Sequence, residues 1–205
     1  MTKKKAPRRK PAGSAFRGTK VSGSVSFRAA AVAALVVLSL LPPGGAALAQ
    51  GAVGQTASQG GSGLPLPRFV SLKSGRVNSR IGPGVNYPVD WMYLKSGLPM
   101  EIIQEYDNWR RVRDSDGSEG WINQSLLSGK RTAIAAPWQR GKDARIDLLS
   151  EPRPDAGKVA VIEPGVVGTI KECNGDWCRM TFAGHTGWLN QTLVWGAYPG
   201  ETIKD

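Results

Sequence analysis

Few residues in this chain can do chemistry. It has two cysteines, Cys173 and Cys178, and one histidine, His185. Cys173-Asn174-Gly175-Asp176-Trp177-Cys178 reads as a hairpin. Its two-residue loop, Gly175-Asp176, suits a type II′ turn because Gly tolerates positive φ at the first position. Cys173 and Cys178 then face each other as a non-hydrogen-bonded pair, with Cα atoms about 4.5 Å apart. That lies within disulfide range, and an oxidising compartment completes the condition. A structural disulfide is expected, with a redox-active pair as the alternative. Two thiols and one His cannot complete a zinc site. A Cys–His nucleophile needs a free thiolate beside a base, and His185, between Gly184 and Thr186, reads as an exposed turn residue. Asp114 and Asp116 are turn formers first; a hydrolytic carboxylate pair has to flank a cleft. No nucleophile turn, metal-ligand spacing or phosphate-cradling Gly loop is present. The expectation is a protein that is not an enzyme and carries no cofactor or metal.

Recognition is the remaining chemistry. Period-two alternation puts Trp109, Arg111 and Arg113 on one face of a strand, with Arg110 and Val112 on the other. Val112 and its counterpart Met180 read as core. Trp109 and Arg111 can stack a flat or sugar ring and steer an anionic group. The plainer reading, favoured on the sequence, is that the Trp covers its own loop. Trp121 and Trp188 each follow a Gly and read as structural wedges. Tyr87, Trp91, Tyr93 and Tyr106 join Trp109 and Arg111 as candidate ligand-binding residues. These aromatics concentrate in the first half of the chain, which is the better candidate for binding.

These residues are positioned by an internal repeat. Asn108-Trp109-Arg110-Arg111-Val112 recurs as Asp176-Trp177-Cys178-Arg179-Met180. Gly120-Trp121-Ile122-Asn123-Gln124-Ser125-Leu126 recurs as Gly187-Trp188-Leu189-Asn190-Gln191-Thr192-Leu193. Val77 through Pro83 aligns with Ile146 through Pro152, and the offset drifts from 69 to 68 to 67 as single residues drop out of turns. Each copy reads as short strands between turn signals. In the first copy these are Arg76–Ser79, Trp91–Leu94, Leu98–Tyr106, Trp109–Arg113 and Glu119–Ile122, followed by one tight helical turn over Asn123–Leu126. At the shared register, Glu105 and Arg110 stand where the second copy has Cys173 and Cys178. They should face each other across the strands, flanking a Tyr106/Trp109 pair. A unit this small protects its edges by closing into a barrel.

The pattern resembles the bacterial SH3-like domain family. It is carried by Arg76-Val77-Asn78-Ser79-Arg80-Ile81-Gly82-Pro83-Gly84, Tyr87-Pro88-Val89, Leu94-Lys95-Ser96-Gly97, Asn108-Trp109-Arg110-Arg111-Val112 and Gly120-Trp121-Ile122. The second copy departs at Ser150-Glu151-Pro152-Arg153-Pro154 and rejoins from Glu163-Pro164-Gly165. Its Cys173…Trp177-Cys178-Arg179 and Trp195-Gly196-Ala197-Tyr198-Pro199 resemble exported proteobacterial members with tandem copies. The resemblance implies an all-β fold of two tandem SH3-like barrels, and envelope binding or targeting in place of catalysis. By analogy with eukaryotic relatives, Tyr87-Pro88 lies in the loop that lines a ligand groove.

Charge and patterning give the compartment. The 205-residue chain has 27 Lys and Arg against 16 Asp and Glu, a net charge of +11. Nine of the 27 basic residues and no acidic ones lie in residues 1–49, leaving 18 basic against 16 acidic, or +2, for the rest. A nucleic-acid partner is therefore not expected. Ala29 to Leu41 is an uncharged apolar run of 13 residues, short of the roughly 20 a spanning helix needs. The basic start, this run and Ala47-Leu48-Ala49 read as a secretory signal peptide over 1–49, cut before Gln50. Flexible linker is expected over 50–67, the first barrel over 68–130 and the second over 131–205. Ser128–Arg131 is short enough to bring the barrels into contact. The protein is expected in the periplasm or secreted, without a membrane span after cleavage. Its expected partner is a cell-wall peptide or glycan, or alternatively another envelope protein.

Overall fold

The computed structural model describes residues 3–6 and 58–204. The signal peptide, its cleavage after Ala49 and the start of the linker lie outside the described residues, apart from Lys3–Ala6. In chain order the strands are β1 Lys3–Lys5, β2 Ser58–Gln59, β3 Pro65–Leu66, β4 Arg68–Leu72, β5 Val77–Arg80, β6 Val89–Tyr93, β7 Pro99–Tyr106, β8 Trp109–Arg113, β9 Glu119–Asn123 and β10 Leu127–Ser128. They continue as β11 Thr132–Ala135, β12 Ile146–Leu149, β13 Lys158–Ile162, β14 Val167–Asn174, β15 Trp177–Phe182, β16 His185–Asn190, β17 Val194–Trp195 and β18 Thr202–Ile203. Single 3-10 turns occupy Gln124–Leu126, Pro137–Gln139 and Gln191–Leu193. No helix among the described residues is long and apolar enough to cross a membrane.

The fold is all-β, in two large antiparallel sheets that repeat one another and a two-stranded β2-β3 sheet. The first runs β1-β6-β5-β9-β8-β7-β4-β10 and the second β13-β12-β16-β15-β14-β11-β17, with β18 added on β14. The repeat extends to irregularities of register. A shift between Ser79 and Arg80 recurs between Leu148 and Leu149, and one between Ile102 and Gln104 recurs between Ile170 and Glu172. Arg80 pairs with Trp121 as Leu149 pairs with Trp188. The Gly before each of these Trp residues lets the strands close. A Cβ on Gly187 would stand 2.6 Å from the Leu149 carbonyl oxygen, and one on Gly120 would collide with the Ser79 hydroxyl.

Alternation fills each core. Val77, Tyr93, Leu98, Met100, Ile102, Val112 and Ile122 pack the first barrel. Ile146, Leu148, Ile170, Met180, Phe182 and Leu189 pack the second, together with Ala133 and Ala135 of the fully buried β11. The barrels touch. Phe69 of β4 meets Trp195 edge-on with centroids 5.1 Å apart and Tyr198 at 4.7 Å. The Tyr198 hydroxyl donates to Glu101 Oε1 at 3.0 Å. Burial, then the Glu101 charge, raises that phenol above its ordinary range, so the bond keeps its proton.

Part of the stretch read as linker belongs to the first barrel. β2 pairs with β3, Leu66 enters the core, and Ser62 donates from its backbone N–H and hydroxyl to Glu105. Gly-rich composition concealed these attachments because they depend on a carboxylate 43 residues away. The cystine forms as expected: Cys173 and Cys178 are bonded with Cα atoms 4.1 Å apart. Asn174 closes that turn through its side chain, whose Oδ1 accepts from the N–H groups of Asp176 and Trp177.

Candidate functional site

The first barrel carries a groove of about 270 Å³ lined by Arg76, Asn78, Arg80, Val85, Trp109, Asn123 and Leu126. Arg76, Asn78 and Arg80 share the outward side of the strand that leads into β5, since Val77 and Ser79 turn inward. Val85 comes from the loop between β5 and β6. Trp109 opens β8, and Asn123 pairs with it from the end of β9. Leu126 ends the 3-10 turn that Asn123 caps, its Oδ1 accepting from Ser125 N–H at 3.1 Å. One tryptophan thus stands among two arginines and two asparagines.

A buried network holds Trp109 in place. Glu105 and Arg110 face each other across β7 and β8, and Tyr106 faces Trp109, in the register expected from the sequence. Arg110 Nε lies 3.1 Å from Glu105 Oε1, and the two side chains are 8% and 3% exposed. Arg68 donates to the same oxygen at 2.5 Å. Arg110 also donates to the carbonyls of Asp107 and Trp109 and to Gln124 Oε1. Gln124 in turn donates to Asn108 Oδ1 at 2.7 Å. The hairpin tip, the 3-10 turn and the entering chain are therefore tied to one carboxylate. Burial alone would raise the Glu105 pKa, but Arg68 and the two Ser62 donors outweigh it and hold it at about 2.

The candidate residues fall in different places. Of the six, Trp109 lines the groove. Tyr87 is 46% exposed and lies over Gly82, where its ring leaves no space for a Cβ; its carbonyl accepts from the groove residue Arg80 at 2.6 Å. Tyr106 sits exposed at the hairpin tip. Arg111 lies outside the groove, ion-paired with Glu119 at 2.8 Å. Trp91 lies on β6, beneath the ammonium groups of Lys3 and Lys5. Tyr93 lines no surface: it is 1% exposed in the core and donates to Asp114 Oδ2 at 2.9 Å. Its inward turn follows from the β6 pairing that sets it opposite buried Val77. Burial first, then the Asp114 charge, raises its phenol well above the usual range. Arg76, Asn78, Arg80 and Asn123 escaped the sequence reading, although period-two alternation already placed the first three on one face.

A sequence model of the bacterial SH3 domain matches residues 73–129 and 142–196, more than half of the chain. No curated protein matches the chain. Among solved structures, NlpC2 and NlpC1 from Trichomonas vaginalis match at 15% and 16% identity, each with a TM-score of 0.28. The matches cover 63% and 70% of this chain, which spans about half of those proteins, 48% and 50% of their lengths.

Proposed function

The chain belongs to the bacterial SH3 domain family, and from that premise we propose that it is a non-catalytic binding module of the cell envelope. Its first barrel takes a cell-wall peptide or glycan component in the Trp109 groove. The observation that carries this reading is the grouping of Trp109 with Arg76, Arg80, Asn78 and Asn123 around one concavity. An indole face stacks on the apolar face of a sugar ring or on a peptide plane. The side-chain amides exchange hydrogen bonds with hydroxyl or peptide groups, and the guanidinium groups pair with carboxylates. Wall peptides and their glycan offer all of these groups.

The second barrel supports the first. At the corresponding positions it keeps Arg145 for Arg76 but has Asp147 for Asn78, Leu149 for Arg80 and Pro154 for Val85, so one of the two guanidinium groups is lost and a carboxylate takes the place of an amide. Export is supported by the signal-like N-terminus and by the cystine, a bond that persists in oxidising compartments.

Cosedimentation with purified peptidoglycan tests the reading. The full chain should be retained, Trp109→Ala should lose most retention, and Trp177→Ala should keep it. Absence of retention for the unaltered protein, or equal loss for both variants, would overturn it.

A further inference from the structure

The first barrel has a second site, sharing no residue with the Trp109 groove, and one of the chain's own side chains already fills it. β1 adds antiparallel to β6, with Lys3 opposite Tyr93, Lys4 opposite Met92 and Lys5 opposite Trp91. Ala6 N–H continues the pairing to the Asp90 carbonyl at 2.8 Å. Lys3 Nζ donates to Asp114 Oδ2 at 2.6 Å and to Ser118 Oγ at 2.8 Å, and lies 3.4 Å from Asp116 Oδ2. It stands 4.8 Å above the centre of the Trp91 ring. Lys5 lies over the same ring at 5.1 Å, with Asp90 at 3.9 Å.

The Asp114 side chain is fully buried. Its Oδ1 is occupied by the N–H groups of Asp116 and Ser118, and its Oδ2 by the Tyr93 hydroxyl. One direction remains, and an ammonium group takes it. A buried carboxylate is expensive without a cation, and the aromatic face alongside favours a cation again.

The second barrel has the same fold without a counterpart of this cage. In the second barrel, Trp91, Tyr93 and Asp114 correspond to Ala160, Ile162 and Phe182, and Ile162 and Phe182 are simply core. Furthermore, Lys3 belongs to the segment read as a signal peptide. Once residues up to Ala49 leave on export, β6 is an open edge with an empty ammonium cage.

We infer that this edge is a docking site for another protein's extended, lysine-bearing segment. The segment adds as a strand on β6 and inserts its ammonium group between Asp114, Ser118 and Trp91. Main-chain pairing supplies affinity and the cage supplies specificity, as in other strand-addition complexes. Lys3 holds the site closed in the uncleaved chain. Asp116 also pairs with Arg140 of the second barrel at 3.4 Å, which leaves Asp114 as the principal anion for the ligand.

The test uses the full-length chain carrying Lys3→Ala and Lys5→Ala, which opens the cage. The probe is a labelled synthetic peptide of residues 2–7, Thr-Lys-Lys-Lys-Ala-Pro, followed by fluorescence anisotropy. The opened variant should bind it more tightly than the unaltered chain does. A peptide with norleucine in place of the first lysine should bind about tenfold more weakly or worse, the scale of one lost charge-assisted contact. Asp114→Asn should erase that preference. Because Asp114 also braces a turn, Trp91→Leu gives a second reading, with affinity lowered and the fold intact by circular dichroism. Trp109→Ala should leave peptide affinity unchanged, which separates this site from the wall-binding groove. Equal binding of the two peptides, no binding to the opened variant, or loss of binding with Trp109→Ala would overturn the assignment.

Discussion

One pair of positions separates the two barrels. Across β7 and β8 the first barrel places Glu105 against Arg110; across β14 and β15 the second places Cys173 against Cys178. The covalent link is self-sufficient: it locks its own hairpin whatever lies around it. The ionic pair is cheap only while its remaining hydrogen-bonding capacity is met, so it recruits Arg68, Ser62, Gln124 and two carbonyls. That recruitment ties Trp109 to the 3-10 turn and builds a groove wall. Where the hairpin is locked by sulfur, the corresponding glutamine, Gln191, turns instead to the carbonyls of Tyr198 and Glu201 and anchors the C-terminal segment. One barrel spends this position on a groove wall, the other on closure.

The comparison breaks most sharply at Glu105. Replacing it by Ala leaves Arg68 and Arg110 facing each other without their anion and should destabilise the first barrel by about 3 kcal/mol at neutral pH. Hydrogen exchange followed by mass spectrometry should show the loss in β7–β9 and not in β14–β16. The effect has a pH signature. Because the folded pKa, about 2, lies below the ordinary 4.5, the Glu105 contribution is complete above about 4.5 and is lost as pH falls toward 2. Unaltered protein and Glu105→Ala should therefore converge in stability across that window. A constant gap between them would refute the network.

Next in size is the cystine. A cross-link spanning 5 residues restricts the unfolded chain by about 2 kcal/mol. Cys173→Ala with Cys178→Ala should cost that much in the second barrel alone, read from the same exchange experiment, with no convergence in acid. An equal loss in both barrels would show that the hairpins are not independently braced.

The smallest contrast is between the paired glycines. At Gly187 an added methyl meets a backbone carbonyl, which cannot move; at Gly120 it meets first the Ser79 hydroxyl, which can rotate. Gly187→Ala should exceed Gly120→Ala by about 1 kcal/mol in thermal unfolding, within the usual range for overpacking. The reverse order would mean that β5 and β9 close more rigidly than β12 and β16.

Much of the fold was legible in the sequence because the information is local. Period-two alternation set the strands, and turn residues set the hairpins. The Glu105–Arg110 and Cys173–Cys178 registers followed from counting outward from two-residue loops. The tight turn over Asn123–Leu126 and the Gly-Trp pairs were equally readable. The candidate site was less so. Trp109 was singled out by its type, but Asn123 lies beside it only through the β8–β9 pairing, and Arg76, Asn78 and Arg80 join them only because β9 also pairs with β5. Tyr93 was misplaced because an aromatic residue in a strand can point either way until its partner strand is known.

By itself, the sequence determined that one all-β unit occurs twice, where its hairpins turn and which thiols meet, since each of these depends on contacts within a few residues. Tertiary structure alone decided that Arg110 and Asp114 are buried, that Tyr93 belongs to the core, and that Lys3 reaches a carboxylate 111 residues away. Burial and long-range charge pairing are properties of the closed sheet. No window of sequence contains both the acid and the surroundings that make it need a partner.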